Sequence, residues 1–223
     1  IGIGISKLNA SNSPKAKLVA YFGVTLNLLY LIVFKYANFI SDSVSQLVGI
    51  YGVYLSPIEL AIILPVGISF YTFQNISYLL DVYKKRYQPE KHLGLFSAYV
   101  LFFPKFVSGP IERPSQFLTQ LKQENRFNAK DMGAGLQRIA FGLFKKLVIA
   151  DRLGILVDTI YGNPTNYSTP YLAVATVFFG FQLYADFSAY TDIAIGTARL
   201  MGYRLTENFK RPYLAKSVSE FWR

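Results

Sequence analysis

Residues 178–214 read FFGFQLYADFSAYTDIAIGTARLMGYRLTENFKRPYL, and the fold turns on how the first half of this stretch meets the second. Residues 159–185 carry no charge, which meets the ~20 apolar residues a membrane-spanning helix needs. Asp186 and Asp192 then stand in the same apolar context. A carboxylate in hydrocarbon is expensive, so such a residue faces a bundle interior or a wet cavity. The stretch predicts a long membrane helix with a polar face, running inward from about Tyr171.

Composition agrees. Apolar residues make up 52% of the chain and aromatics 17%, a level suited to a bilayer and its interfaces. The 23 basic and 13 acidic residues leave a net charge of +10. A soluble nucleic-acid binder could carry that charge but not the long uncharged runs, so no nucleic-acid partner is expected. The basic residues read instead as topology signals and as contacts to anionic membrane lipids. With no cysteine, disulfides, thiol nucleophiles and cysteine-based metal sites are excluded. The chain opens inside an apolar phrase, IGIGIS, and stops within EFWR. Residues 1–223 are therefore expected to be an internal fragment of a single membrane domain, truncated at both ends.

Two further uncharged runs precede the decisive one. Leu18–Phe34 predicts a spanning helix, and Leu60–Leu80 a second one interrupted by Pro65 and Gly67. Residues 43–58 between them read as an interfacial loop or short helix. Lys7, Lys15 and Lys17 on one side, with Lys84, Lys85, Arg86 and Lys91 on the other, place both flanks in the cytoplasm by the positive-inside rule. Leu93–Phe103 is too short to span and reads as re-entrant or interfacial. Met132–Ala150 is helix-like but broken by Arg138, Lys145 and Lys146; it either crosses within a bundle or lies along the interface. Residues 158–170, with two prolines, read as an external loop. The basic tail from Arg199 onward is then cytoplasmic. The fold class that follows is all-α: an integral membrane multi-helix bundle with re-entrant or interfacial helices, multi-pass in the cell (inner) membrane.

On a helix, Gln182, Asp186 and Tyr190 share a face, and Ser188 and Asp192 form a second pair. Two readings stay open. The aspartates either bond structurally to neighbouring helices, or they line a polar tunnel and support a catalytic group. The phrase FPKFVSGP (103–110) breaks the helix with two prolines and a glycine, and either turns at the interface or lines a passage. His92, the single histidine, lies in a charged loop and makes neither a metal site nor a positioned base. No nucleophile elbow and no phosphate-cradling glycine loop is present.

Five phrases in order carry a resemblance: LPVGISFYTFQ (64–74), FFPKFVSGPIERP (102–114), GLFKKLVIADRL (142–153), YADFSAYTDIAIGTARLMGYRLTENFKRPY (184–213) and SEFWR (219–223). Together they resemble the membrane-bound O-acyltransferase family in its bacterial branch, closest to the alginate O-acetylation type. The resemblance implies a tunnel through the bilayer and transfer of an acyl group, acetyl in this branch, to hydroxyls of an exported polysaccharide. It implies a catalytic histidine about three residues beyond Arg223, so no catalytic residue is expected within the chain and the fragment alone is expected to be inactive. Asp186, Asp192, Asn208, Arg211, Glu220 and Trp222 become candidates for supporting that histidine or shaping the tunnel. The expected partners are membrane lipids, an acyl donor and polysaccharide-acetylation proteins. No metal and no tightly bound cofactor is implied, although the donor could be an acyl-CoA. The rival reading is a non-enzymatic transporter or inactive membrane partner that uses the aspartates for ions.

Overall fold

The computed structural model describes all residues except 57–59, 62, 125–127, 209–211 and 222–223. The described residues form helices and turns with no strand, and they divide into two compact units, residues 1–102 with 113–122 and residues 103–112 with 123–223.

In the first unit, α1 (Gly2–Ala10) packs on α2 (Lys15–Gly49) and α3 (Ile68–Tyr83). The 35 residues of α2 reach ~52 Å, well beyond a ~30 Å hydrocarbon core. The predicted span is present but longer than the uncharged run, because nothing breaks a helix until Gly49 and the left-handed Gly52 (φ 79°). Residues 43–49, expected as an interfacial loop or short helix, are helical and continue α2. Its exposed side chains include Leu18, Tyr21, Phe22, Leu29 and Phe39. An apolar band of that size suits lipid or other protein and not water.

The second predicted span is corrected. Among the described residues of this run helix begins only at Ile68, and α3 (Ile68–Tyr83) is ~24 Å long, short of the bilayer core. Gly67 adopts φ 71°, a left-handed conformation that ends any helix arriving from Leu60 and starts α3 afresh. The irregular backbone before it is satisfied by Asn38, whose amide donates to the Leu60 carbonyl (3.1 Å) and accepts from the Leu60 N–H (3.0 Å).

The helices α4 (Leu93–Val100) and α5 (Pro114–Leu121) complete this unit. As expected, α4 is far too short to span. The core here is aromatic: Tyr99 and Phe117 are fully buried, and the Phe102 ring packs tilted against Phe117 with centroids 4.7 Å apart. The Gln74 amide donates to the Tyr99 carbonyl at 2.7 Å. At the rim, Lys122 pairs with Glu90 at 2.5 Å. That hydrogen bond holds the Glu90 carboxyl below its usual range and raises the Lys122 ammonium.

The second unit is built on α6 (Ala129–Phe144), a π-helical segment Lys145–Ala150, α7 (Asp151–Gly162) and α8 (Thr169–Leu200). Helix continues through the lysines and on to Gly162, so the first part of the expected external loop is helical. Only 163–168 remain as a turn ahead of α8. At 32 residues, α8 is ~48 Å long. Both α2 and α8 are long and apolar enough to cross a membrane.

Close approach of α6 and α8 is permitted by glycine. A Cβ on Gly142 would lie 2.8 Å from the Ala189 carbonyl oxygen, and one on Gly196 would lie 2.6 Å from that of Gly135. Gly135, Arg138, Gly142 and Lys145 repeat at three, four and three residues, which puts all four on the face turned to α8. On α8 the matching face is small: Ala185, Ser188, Ala189, Asp192 and Gly196 are all buried.

Candidate functional site

The glycine seam brings charged side chains together where hydrocarbon would forbid them singly. Asp192 is 5% exposed. Its Oδ1 accepts from Arg138 Nε at 2.5 Å, and its Oδ2 pairs with Lys145 Nζ. Lys145 also donates to Ser188 Oγ at 3.0 Å and lies over the Phe141 ring. The predicted Ser188–Asp192 face is thus real, and a single ammonium reads both residues. Arg138 has a second carboxylate, with its Nη2 2.6 Å from Glu207 Oε2. Two cations and two carboxylates make the cluster neutral overall; Asp192 is its buried member, while Arg138 and Glu207 keep 34% and 45% of their side chains accessible.

The π-helical segment explains how adjacent lysines serve one helix. In an α-helix, consecutive residues diverge by about 100°; the wider π turn reduces that divergence. Lys145 reaches Asp192, while Lys146 reaches Asp186 at 2.6 Å and Asp151 at 2.9 Å. Asp186 is half-exposed, as are both of its neighbours in this second group. On the same helix face as Asp186, Gln182 lies against Gly154 of α7.

A third polar layer belongs to the phrase 103–112. Lys105 is 2% exposed and Glu112 is fully buried, and the two interact electrostatically. Glu112 Oε1 accepts from both the backbone N–H and the hydroxyl of Thr206, at 2.5 and 3.0 Å. Gly109 is indispensable to this turn, since a Cβ there would sit 2.3 Å from Lys105 Cα.

Of the six candidate residues, Asp186 and Asp192 fall in separate ion clusters along α8. Asn208 joins the Asp192 neighbourhood by donating to Thr191 Oγ1 at 3.3 Å. Glu220 is elsewhere and is engaged locally. Its carboxylate accepts from Lys216 N–H and its own N–H donates to Ser217 Oγ, a capping arrangement at the start of the short helix Val218–Phe221. Arg211 and Trp222 lie outside the described residues. Arg199 turns to Asp131 at 3.2 Å and not to the Asp192 face. His92 caps α4, its Nδ1 accepting from Leu95 N–H at 3.2 Å. Among the described residues no three His, Cys, Asp or Glu side chains are placed to hold a metal.

Arg138, Lys145, Glu112 and Glu207 escaped the sequence reading as site residues. The signal for the first two was present in the spacing of Gly135, Arg138, Gly142 and Lys145, where small residues alternate with cations on one face.

Comparison with known proteins fits this picture. The profile of the membrane-bound O-acyltransferase family matches residues 92–223. A probable alginate O-acetylase of Pseudomonas putida is 38% identical over 100% of this chain and 45% of its own length. The chain belongs to the membrane-bound O-acyltransferase family. A peptidoglycan O-acetyltransferase of Helicobacter pylori is 32% identical over 93% of this chain and 43% of its own length. A teichoic acid D-alanyltransferase of Bacillus subtilis is 28% identical over 70% and 40%. The chain spans less than half the length of these curated relatives. Membership makes the apolar exposure of α2 and α8 intelligible: they are helices of a membrane-embedded acyltransferase fold, and the Asp192 cluster is an ion network inside one.

Proposed function

We propose that this chain supplies part of the membrane domain of an O-acyltransferase that transfers an acetyl group to hydroxyls of an exported polysaccharide, in a multi-pass protein of the cell membrane. The observation that carries this reading is the 38% identity to an alginate O-acetylase over the whole chain, which exceeds the identity to the D-alanyl-transferring relative. In acyl transfer the acceptor hydroxyl must lose a proton as the new ester bond forms and the donor's carrier group departs. The general base expected for that step is a histidine just beyond Arg223. The residues described here supply the frame around it.

Asp192 shares its charge with Arg138 and Lys145, which suits a fixed electrostatic support better than an ion-carrying site of a transporter. The donor, an acyl-CoA or another activated acyl group, and the partner proteins would complete the reaction.

The test is complementation. The full-length gene product is expressed in a strain lacking its own polysaccharide O-acetyltransferase, and alkali-labile acetate on the exported polymer is measured. Acetate restored by the native protein, and lost when the histidine beyond Arg223 is replaced by alanine, is the expected result. Normal acetate in that alanine variant, or none with the native protein, would overturn the reading.

A further inference from the structure

The chain does not leave α8 at its end. Gly202 (φ 81°) turns it, with the Tyr203 N–H donating back to the Ala198 carbonyl at 2.9 Å. Leu205 is buried, Thr206 is held by Glu112, Glu207 by Arg138, and Asn208 by Thr191. Tyr213 then donates to the Gly180 carbonyl at 2.6 Å and packs edge-on against Phe181. The anchors on α8 thus step from 198 to 191 to 180 while the chain advances from 203 to 208 to 213. Over residues 203–208 the return runs antiparallel to the helix, and Tyr213, within the single 3-10 turn Pro212–Leu214, meets α8 again at Gly180.

Gly180 lies inside the uncharged run 159–185, so Tyr213 is brought back to the apolar level of α8. The chain that leaves α8 thus comes back to it at Gly180. Non-helical backbone at such a level is tolerated where protein covers it or where it lines a wet cavity. The charged group on Arg138 is the tie between the two limbs of the hairpin, because the same guanidinium holds Asp192 of α8 and Glu207 of the return.

We propose that Arg138 is a positioning residue: by clamping Glu207 against Asp192 it holds the returning segment along α8 at membrane depth, and so sets where the chain beyond Tyr213 presents its functional groups. The catalytic half of this inference rests on the acyltransferase reading; the positional half does not.

The experiment separates them. In the full-length protein with any cysteines removed, Gly180→Cys and Tyr213→Cys are introduced together, and the rate of cross-linking by a short bifunctional thiol reagent is measured in native membranes. Rapid cross-linking is expected, slowed about fivefold by Arg138→Gln and by Glu207→Gln, a factor appropriate to losing one partly exposed ion pair. Glu207→Gln leaves the Arg138–Asp192 pair in place, so it decides the matter should Arg138→Gln fail to accumulate. Absent cross-linking, or equal rates in the native and Glu207→Gln proteins, would overturn the clamp whatever the protein's activity. In the acetylation assay, single-cysteine-free Glu207→Gln should lower kcat about tenfold with KM little changed, as misplacement of a reacting group does. Slower cross-linking with unchanged kcat would leave a tie without a positioning role and overturn that half.

Discussion

Arg138 and Asp192, 54 residues apart in sequence, meet at 2.5 Å across the seam between α6 and α8. Asp192 is nearly buried, whereas Arg138 keeps a third of its side chain accessible. Removing the carboxylate would take from Lys145 its carboxylate partner and leave Arg138 paired with Glu207. Asp192→Ala is expected to cost about 3 kcal/mol, the lower end for a broken buried pair, whereas Glu207→Gln should cost under about 1 kcal/mol because Glu207 is 45% exposed. Thermal unfolding of the full-length protein in detergent checks the ranking. Equal losses for the two variants would show that the Asp192 cluster is not the buried one.

The glycine seam makes a second, steric prediction. Gly142→Val and Gly196→Val both drive a side chain into a facing carbonyl. Each is expected to destabilise the protein by about 1–3 kcal/mol, and the spread helices would also pull Arg138 and Lys145 off Asp192. Gly133 lies on the same helix with nothing within 4 Å of its would-be Cβ, so Gly133→Ala should be neutral or gain up to about 1 kcal/mol. Yield after detergent extraction and midpoint of unfolding discriminate the two classes.

What the sequence disclosed, and what it hid, follows from which physical signal each residue leaves. The length of α8 and the anomaly of Asp192 were legible because a charge inside an uncharged run is conspicuous by itself. Arg138 and Lys145 were not, because cations in a mixed stretch look like a wet helix face until the partner helix is known. Apolarity over residues 60–80 misled for the opposite reason. Hydropathy reports the preference for an apolar setting but not the backbone conformation, and the left-handed Gly67 divides that run. The side chain of Asn38 supports the non-helical part at Leu60, and no local pattern announces a contact made from 22 residues away. The return of Tyr213 to Gly180 was hidden likewise, since it too is a contact made from far along the chain, 33 residues away.

The Glu90–Lys122 pair gives a pH-dependent prediction outside the long helices. The folded Glu90 carboxyl titrates below its unfolded value. Its stabilisation is therefore present above the unfolded value and is lost as pH falls through the folded one. Lys122, raised in the folded state, keeps its contribution below its unfolded value and loses it only in strong alkali. Glu90→Gln keeps an acceptor for the N–H groups of Lys91 and His92, which Glu90 Oε1 holds in the native protein, and removes only the charge. It should lower the unfolding midpoint at pH 7 by an amount worth about 1 kcal/mol or less, given the exposure of Lys122. The gap from the native protein should close as pH falls below about 4. A gap independent of pH between 3 and 7 would assign Glu90 a packing role instead.

His92 tests the division between frame and chemistry. Its Nδ1 is spent accepting from Leu95 N–H, so in the neutral imidazole the proton is on Nε2 and the ring is oriented by the helix start it caps. Gly94 leaves room for the ring, since a Cβ there would lie 2.9 Å from His92 Cε1. Asparagine can make the same capping bond. His92→Asn is therefore expected to leave acetyl transfer by the full-length protein within about twofold of native, the margin left by a change of under ~0.5 kcal/mol. His92→Ala should forfeit the cap and about 1 kcal/mol of stability with kcat still unchanged. Loss of transfer in the asparagine variant, with the protein inserted and folded, would give His92 a role in the chemistry and overturn its assignment to the frame.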